Sequence, residues 1–191
     1  MKYLIIGNSA AAVGAVEEIR KKDKKGEITI LSKEPYLAYS RELITEFLAD
    51  KKKKKGMSYR AEDFYKDNNV SLKLGVSAKT IDAEKKIVSA SDKKEYSYDK
   101  LLIATGGSPI FPPMKGSDKK GVFTLMTLNE SKEIKKNLKG VKKAVVIGGG
   151  LIGMKAAEGL HEAGIKVTIV ELADRILSRI LDEKGSRIFE S

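Results

Sequence analysis

Gly148, Gly150 and Gly153 stand at G-x-G-x-x-G spacing, directly after the apolar run 144–147 and before the helix-forming stretch 154–163. A glycine at the first position permits a tight strand-to-helix turn. At the second it lets backbone approach a pyrophosphate, and at the third it lets the helix pack closely on the strand. The helix start adds N–H groups without intrahelical partners and the positive end of a dipole, which suit phosphate oxygens. A second β-branched run, 167–170, ends on Glu171, 23 residues beyond Gly148. A carboxylate there accepts hydrogen bonds from both hydroxyls of an adenosine ribose and repels a ribose phosphate, so the pattern favours NADH over NADPH. Three glycines at this spacing also mark ordinary turns. Strand, helix, second strand and terminal acid together favour a nucleotide-binding βαβ unit.

The N-terminus repeats this plan. Residues 2–6 read as a strand, 7–12 as a turn, 11–22 as a helix with a stop near Gly26, and 28–31 as a second strand. Setting Gly7 on Gly148 pairs Ala15 with Ala156, Glu17 with Glu158 and Ile19 with Leu160, so the chain carries two copies of one unit. The first copy is degenerate, with Ser9 in place of the second glycine and Ala12 in place of the third. Ser9 narrows the approach to a pyrophosphate but adds a hydroxyl that can donate to it. Ser32 lies opposite Glu171, and Glu34 follows two residues later, so either can serve a ribose. Read alone, this copy suits a binding unit and a plain βαβ crossover equally well.

The remaining segments must position these two turns. A loop from Pro35 leads into a short helix through Leu48, and its Arg41 is either a bidentate phosphate ligand or a surface arginine paired with Glu42 or Glu46. Lysines 51–55 and Gly56 read as a loop and 61–68 as a helix. Runs 71–75, 78–82, 86–90 and 95–98 read as strands of a small antiparallel insertion. Residues 100–103 form a further buried strand ending in Ala104-Thr105-Gly106-Gly107, where backbone can pass close to a bound dinucleotide. Pro109, Pro112 and Pro113 make an irregular linker, which divides the chain into domains 1–113 and 114–191. A helix over 129–138, capped by Thr127, leads into the second copy.

Composition narrows the chemistry. With 41% hydrophobic and 33% charged residues the 191-residue chain suits a globular protein with a real core, and no apolar run approaches membrane-spanning length. Met1 leads directly into a strand rather than a signal peptide, and the absence of cysteine fits a reducing cytoplasm. The net charge of +11 raises nucleic acid as a partner. The lysines, however, are scattered through turns and helix faces with few aromatics, so a solvated face or loop explains them better, with docking of an acidic protein left open. His161, the single histidine, has no nearby acid or second ligand and reads as a surface residue. No catalytic side chain and no metal site is expected.

Tandem glycine fingerprints about 140 positions apart, with SKEPYLAYSREL and AEDFY after the first and LLIATGGSPIFPP before the second, carry a family resemblance. The chain resembles the FAD-dependent pyridine nucleotide-disulfide oxidoreductase superfamily, nearest its NADH oxidase, rubredoxin reductase and nitrite reductase flavoprotein branch. The resemblance implies an α/β fold of two Rossmann-like βαβ nucleotide-binding units with a small antiparallel β insertion, the second unit incomplete. It implies FAD in the first unit, with Gly7, Ser9, Ala10 and Ala11 at its pyrophosphate, Ser32 or Glu34 at its ribose and Arg41 at its phosphates. Backbone near Ala78 would meet the adenine, and Ala104, Thr105 and Gly106 would flank the cofactor. NADH would sit on Gly148, Gly150, Gly153 and Glu171 and pass hydride to the flavin. An electron acceptor protein or small molecule would take the electrons on.

Two departures from the family qualify this. Thiol-using members carry a redox cysteine where this chain has residues 41–44, so disulfide reductase and thiol peroxidase activities are not expected. Members also continue well past this length. The expectation is therefore a fragment, or a chain completed by a partner subunit, with an uncovered apolar sheet face that favours association.

Overall fold

β1 (Lys2–Ile6) and β2 (Glu27–Ser32) pair in parallel, with Ile5 opposite Ile30. In these strands Leu4, Ile6 and Leu31 face one side of the sheet, while Ile5, Ile28 and Ile30 face the other. The computed structural model describes residues 1–51 and 53–190, which form two compact units. One comprises residues 1–40 and 58–107, the other 41–57 and 108–191.

In the first unit a parallel sheet runs β3 (Val70–Leu74), β2, β1, β7 (Lys100–Ile103). α1 (Ala10–Lys22) covers one face, burying Ala12, Val13 and Val16 against Ile5, Ile28 and Ile30. α3 (Phe64–Asp67) joins that layer through Phe64 and Tyr65. An antiparallel meander of β4 (Ala78–Asp82), β5 (Ile87–Ala90) and β6 (Glu95–Ser97) covers the other face, setting Val88 and Ala90 on Leu4, Ile6 and Leu31. The sheet is thus buried on both sides, as a parallel sheet must be.

Three expectations are corrected here. The run near 71–75 is not part of the antiparallel insertion. It is β3, a parallel partner of β2, and Ile30 faces Leu72. The helix expected over 61–68 shortens to α3, which starts after Asp63 and ends before Asn69, where φ turns to +46°. β7 was expected to be buried but is an edge strand, with Ile103 61% exposed.

The second unit is organised on β8 (Lys143–Ile147) and β9 (Lys166–Val170), a parallel pair joined by α5 (Leu151–Glu162). α2 (Ile44–Leu48) packs against both α5 and α4 (Leu128–Asn137). Leu48 meets Leu160 and Ile165 in the small core of this unit. Gly159 makes the α2 contact possible, since a Cβ there would lie 3.0 Å from the Thr45 carbonyl oxygen. Ser131 donates its hydroxyl to the Ile44 carbonyl at 3.0 Å, and Lys135 pairs with Asp50. Residues 41–57 therefore belong with the second unit, as do 108–113, whereas the linker prolines suggested a single cut after 113. Lys54–Met57 forms a 3-10 turn in place of part of the expected loop, and Lys52 lies outside the described residues. α6 (Glu183–Glu190) follows β9.

α4 carries a capping box: the Thr127 hydroxyl accepts from the Glu130 N–H, and the Glu130 carboxylate accepts from the Thr127 N–H. On β8 and β9, Val145, Ile147 and Val170 remain more than half exposed. The apolar sheet face expected to be uncovered is uncovered among the described residues.

Candidate functional site

Both glycine turns are closed by the same backbone bond. The Gly7 N–H donates to the Leu31 carbonyl at 2.9 Å, and the Gly148 N–H donates to the Val170 carbonyl at 2.8 Å. Both glycines have strongly positive φ, +113° and +102°, where a side chain would be strained. The helices then start alike. Val13 N–H donates to the Ser9 carbonyl at 3.0 Å and Met154 N–H to the Gly150 carbonyl at 2.9 Å. Ser9 and Gly150 are thus equivalent N-caps in extended conformation. Neither helix has a side-chain cap or an acid in its first turn among the described residues. Leading N–H groups and the positive dipole end are left for an external anion.

The three glycines of the second turn have separate tasks. A Cβ on Gly153 would sit 1.9 Å from the Gly148 carbonyl oxygen, so this residue lets α5 press on the turn. Among the described residues a Cβ on Gly150 would meet nothing within 4 Å, so the space in front of it is open to a ligand. Gly149, which the fingerprint leaves unspecified, is also constrained: its Cβ would lie 2.9 Å from Ile176 and 3.2 Å from the Glu171 carboxylate.

Glu171 ends β9 beside this turn. Its carboxylate accepts from the Ala173 N–H at 2.8 Å and from the Gly149 N–H. These two bonds, Ala173 first, hold its pKa below the ordinary carboxylate value, so the group is an anion at neutral pH. The structure therefore brings Glu171 to the Gly148–Gly153 turn, as the spacing suggested.

In the first unit the end of β7 runs past the turn. A Cβ on Gly7 would lie 2.1 Å from the Ala104 carbonyl oxygen and 3.1 Å from the Thr105 nitrogen. Gly7, Ala104 and Thr105 are thereby brought together, and Gly106 continues with φ of +71°. Ala10 and Ala11 are exposed at the helix start, while Ala12 is fully buried at the third-glycine position. Ser32 is buried, and its hydroxyl donates to the Glu34 carbonyl at 2.9 Å. The Glu34 carboxylate accepts from the Tyr39 hydroxyl at 2.6 Å.

The remaining candidates have their own surroundings. Ala78 pairs with Ala90 and packs on the meander side of the sheet. Arg41 lies in the second unit and donates from Nη1 to the Met126 carbonyl at 3.0 Å. His161 is exposed near the end of α5. Among the described residues no cluster of His, Asp and Glu suits a metal, and no helix is long and apolar enough to cross a membrane. Residue-type reasoning missed Asn8, whose amide is held by Tyr36 and Tyr65, although Tyr65 lies within the AEDFY segment.

The sequence profile of the pyridine nucleotide-disulphide oxidoreductase family matches residues 1–191. The chain is 35% identical over 189 residues to the NADH-dependent phenylglyoxylate dehydrogenase subunit epsilon of Aromatoleum evansii, covering 99% of this chain and 45% of that one. It is 34% identical to the rubredoxin-NAD(+) reductase of Pseudomonas putida, covering 98% of this chain and 49% of the other. A ferredoxin reductase structure from Rhodopseudomonas palustris superposes with a TM-score of 0.91 at 26% identity, over 99% of this chain and 47% of that one. The chain spans about half the length of these relatives.

Proposed function

The chain belongs to the pyridine nucleotide-disulphide oxidoreductase family, a family of FAD- and NADH-using oxidoreductases, and from that premise we propose that it forms the nucleotide-binding part of an NADH-dependent flavoprotein. The observation that carries the proposal is the paired turn: a positive-φ glycine donating to the neighbouring strand, followed by a helix with no acid in its first turn, at both Gly7 and Gly148.

In this reading the first unit holds FAD. Backbone N–H groups at Ser9, Ala10 and Ala11 point to its pyrophosphate, and the Ser9 hydroxyl, which does not cap α1, adds a donor. Glu34 takes the ribose in preference to Ser32, whose hydroxyl is buried and already donating. Ala104, Thr105 and Gly106 flank the cofactor, and backbone near Ala78 is assigned to the adenine. The second unit holds NADH. Gly148 and Gly150 admit its pyrophosphate, Gly153 keeps α5 on the turn, and the ionised Glu171 accepts from the ribose and repels a 2′-phosphate. Bound flavin supplies acceptance of hydride from the nicotinamide and onward release of electrons singly or in pairs. The residues present contain no cysteine, so the acceptor is a protein, a metal centre or oxygen rather than a thiol relay within them. The rubredoxin reductase relative supports a protein acceptor.

A second reading is a cofactor-binding subunit within a larger electron-transfer complex, which the relative named as a dehydrogenase subunit epsilon supports. Titration with FAD followed by anaerobic addition of NADH tests both. A flavin absorbance band that NADH bleaches supports the oxidoreductase. A band that persists favours the subunit reading, and failure to acquire a band refutes FAD binding altogether.

A further inference from the structure

Asn8 occupies the turn between Gly7 and the helix cap Ser9. Its amide is held at both ends. Nδ2 donates to the Tyr36 carbonyl at 3.3 Å, and Oδ1 accepts from the Tyr65 hydroxyl at 2.7 Å. The same Tyr65 oxygen accepts from the N–H of Ala38 at 3.1 Å. Tyr65 is 7% exposed and Ala38 4%, and the Tyr65 ring meets Phe64 edge-on with centroids 5.2 Å apart. One hydroxyl on α3 therefore joins three segments distant in the chain: α3 itself, the turn after β1 and the loop after β2. A phenyl ring would fill the same space in this core, so packing alone does not call for the oxygen.

The turn offers N–H groups to a pyrophosphate, and the loop carries Glu34, whose carboxylate is oriented by Tyr39. We propose that Tyr65 is a positioning residue for the adenosine diphosphate portion of the first dinucleotide, acting through Asn8 and Ala38 to set the span between the pyrophosphate turn and the ribose acid. The proposal rests on the first unit being the FAD site.

FAD and ADP affinities of the full chain are measured by titration at a temperature where circular dichroism shows every variant folded. Tyr65→Phe is expected to raise both dissociation constants about tenfold, because a buried N–H and a turn amide each lose a partner. In an Asn8→Ala background the same change is expected to add clearly less than tenfold, since the path through Asn8 is already cut and only the one through Ala38 remains. A role confined to general folding predicts independent losses in the two backgrounds. Should Tyr65→Phe fail to fold, the half-buried Asn8→Ala carries the test alone: a loss near tenfold supports the proposal, and wild-type affinity overturns it. If the wild-type chain binds FAD while Tyr65→Phe binds it equally well, or if the two substitutions add fully, the positioning role is wrong and the FAD site stands. A wild-type chain that binds neither FAD nor ADP overturns both.

Discussion

Two glycines three residues apart at the start of α5 should fail in opposite ways when changed to alanine. At Gly153 the new Cβ would stand 1.9 Å from the Gly148 carbonyl oxygen, about 1.5 Å short of the 3.4 Å at which ordinary contact begins. The obstacle is backbone of a turn that its own bond to Val170 holds in place, so neither partner yields cheaply. Overpacking of this kind costs ~1–3 kcal/mol and lies near the upper end here. Alanine recovers ~1 kcal/mol of helix propensity, which leaves a net loss of roughly 2 kcal/mol for Gly153→Ala. At Gly150 φ is −79° and, among the described residues, nothing lies within 4 Å of the new Cβ. A slightly poorer cap and a less flexible unfolded chain nearly cancel, so Gly150→Ala should stay within ~0.5 kcal/mol of wild type. The same methyl group would intrude on the space assigned to the pyrophosphate and should weaken NADH about tenfold or more. Urea unfolding with NADH titration by fluorescence measures both quantities. A slope of ~1–3 kcal/mol per molar turns the Gly153→Ala loss into a midpoint shift of about 1 M. Unchanged stability in Gly153→Ala, or wild-type NADH affinity in Gly150→Ala, would refute the division of labour between the two glycines.

Three further outcomes are expected. Glu171→Gln should lose preference for NADH over NADPH in equilibrium binding, and a preserved ratio would remove Glu171 from the ribose. Gly7→Ala should abolish FAD uptake and destabilise the first unit, since its Cβ would strike the Ala104 carbonyl at a strained φ; a variant with normal flavin content and melting temperature would contradict this. At α4, burial pushes the Glu130 pKa up, but the bonds from Thr124, Thr127 and Met126 outweigh it and hold the group below its ordinary value. The stabilisation is therefore present above the ordinary carboxylate pKa and lost as pH falls through the lower folded-state value. Glu130→Gln should flatten the acid limb of stability against pH, and Thr127→Ala should cost ~1 kcal/mol at neutral pH; an unchanged limb would place the acid sensitivity elsewhere.

Local order set much of this protein. A β-branched run, a glycine with positive φ, a helix start and a second strand lie within one stretch of chain, so the turns at Gly7 and Gly148 and the acid at Glu171 were legible from spacing. The Thr127–Glu130 box is equally local, and its cap was readable. Where partners lie far apart in sequence, only the tertiary structure decided. β3 becomes a parallel strand because Leu72 finds Ile30, a choice its own alternation does not contain. Residues 41–57 fold with the second unit because Leu48 finds Leu160 and Ser131 finds the Ile44 carbonyl. A carbonyl from residue 104 crosses Gly7, whereas Gly148 meets no such neighbour among the described residues. A fingerprint records what the backbone does over a few residues. Which atoms crowd against it, and which tyrosine hydroxyl holds it in shape, depend on packing between segments that sequence proximity does not encode.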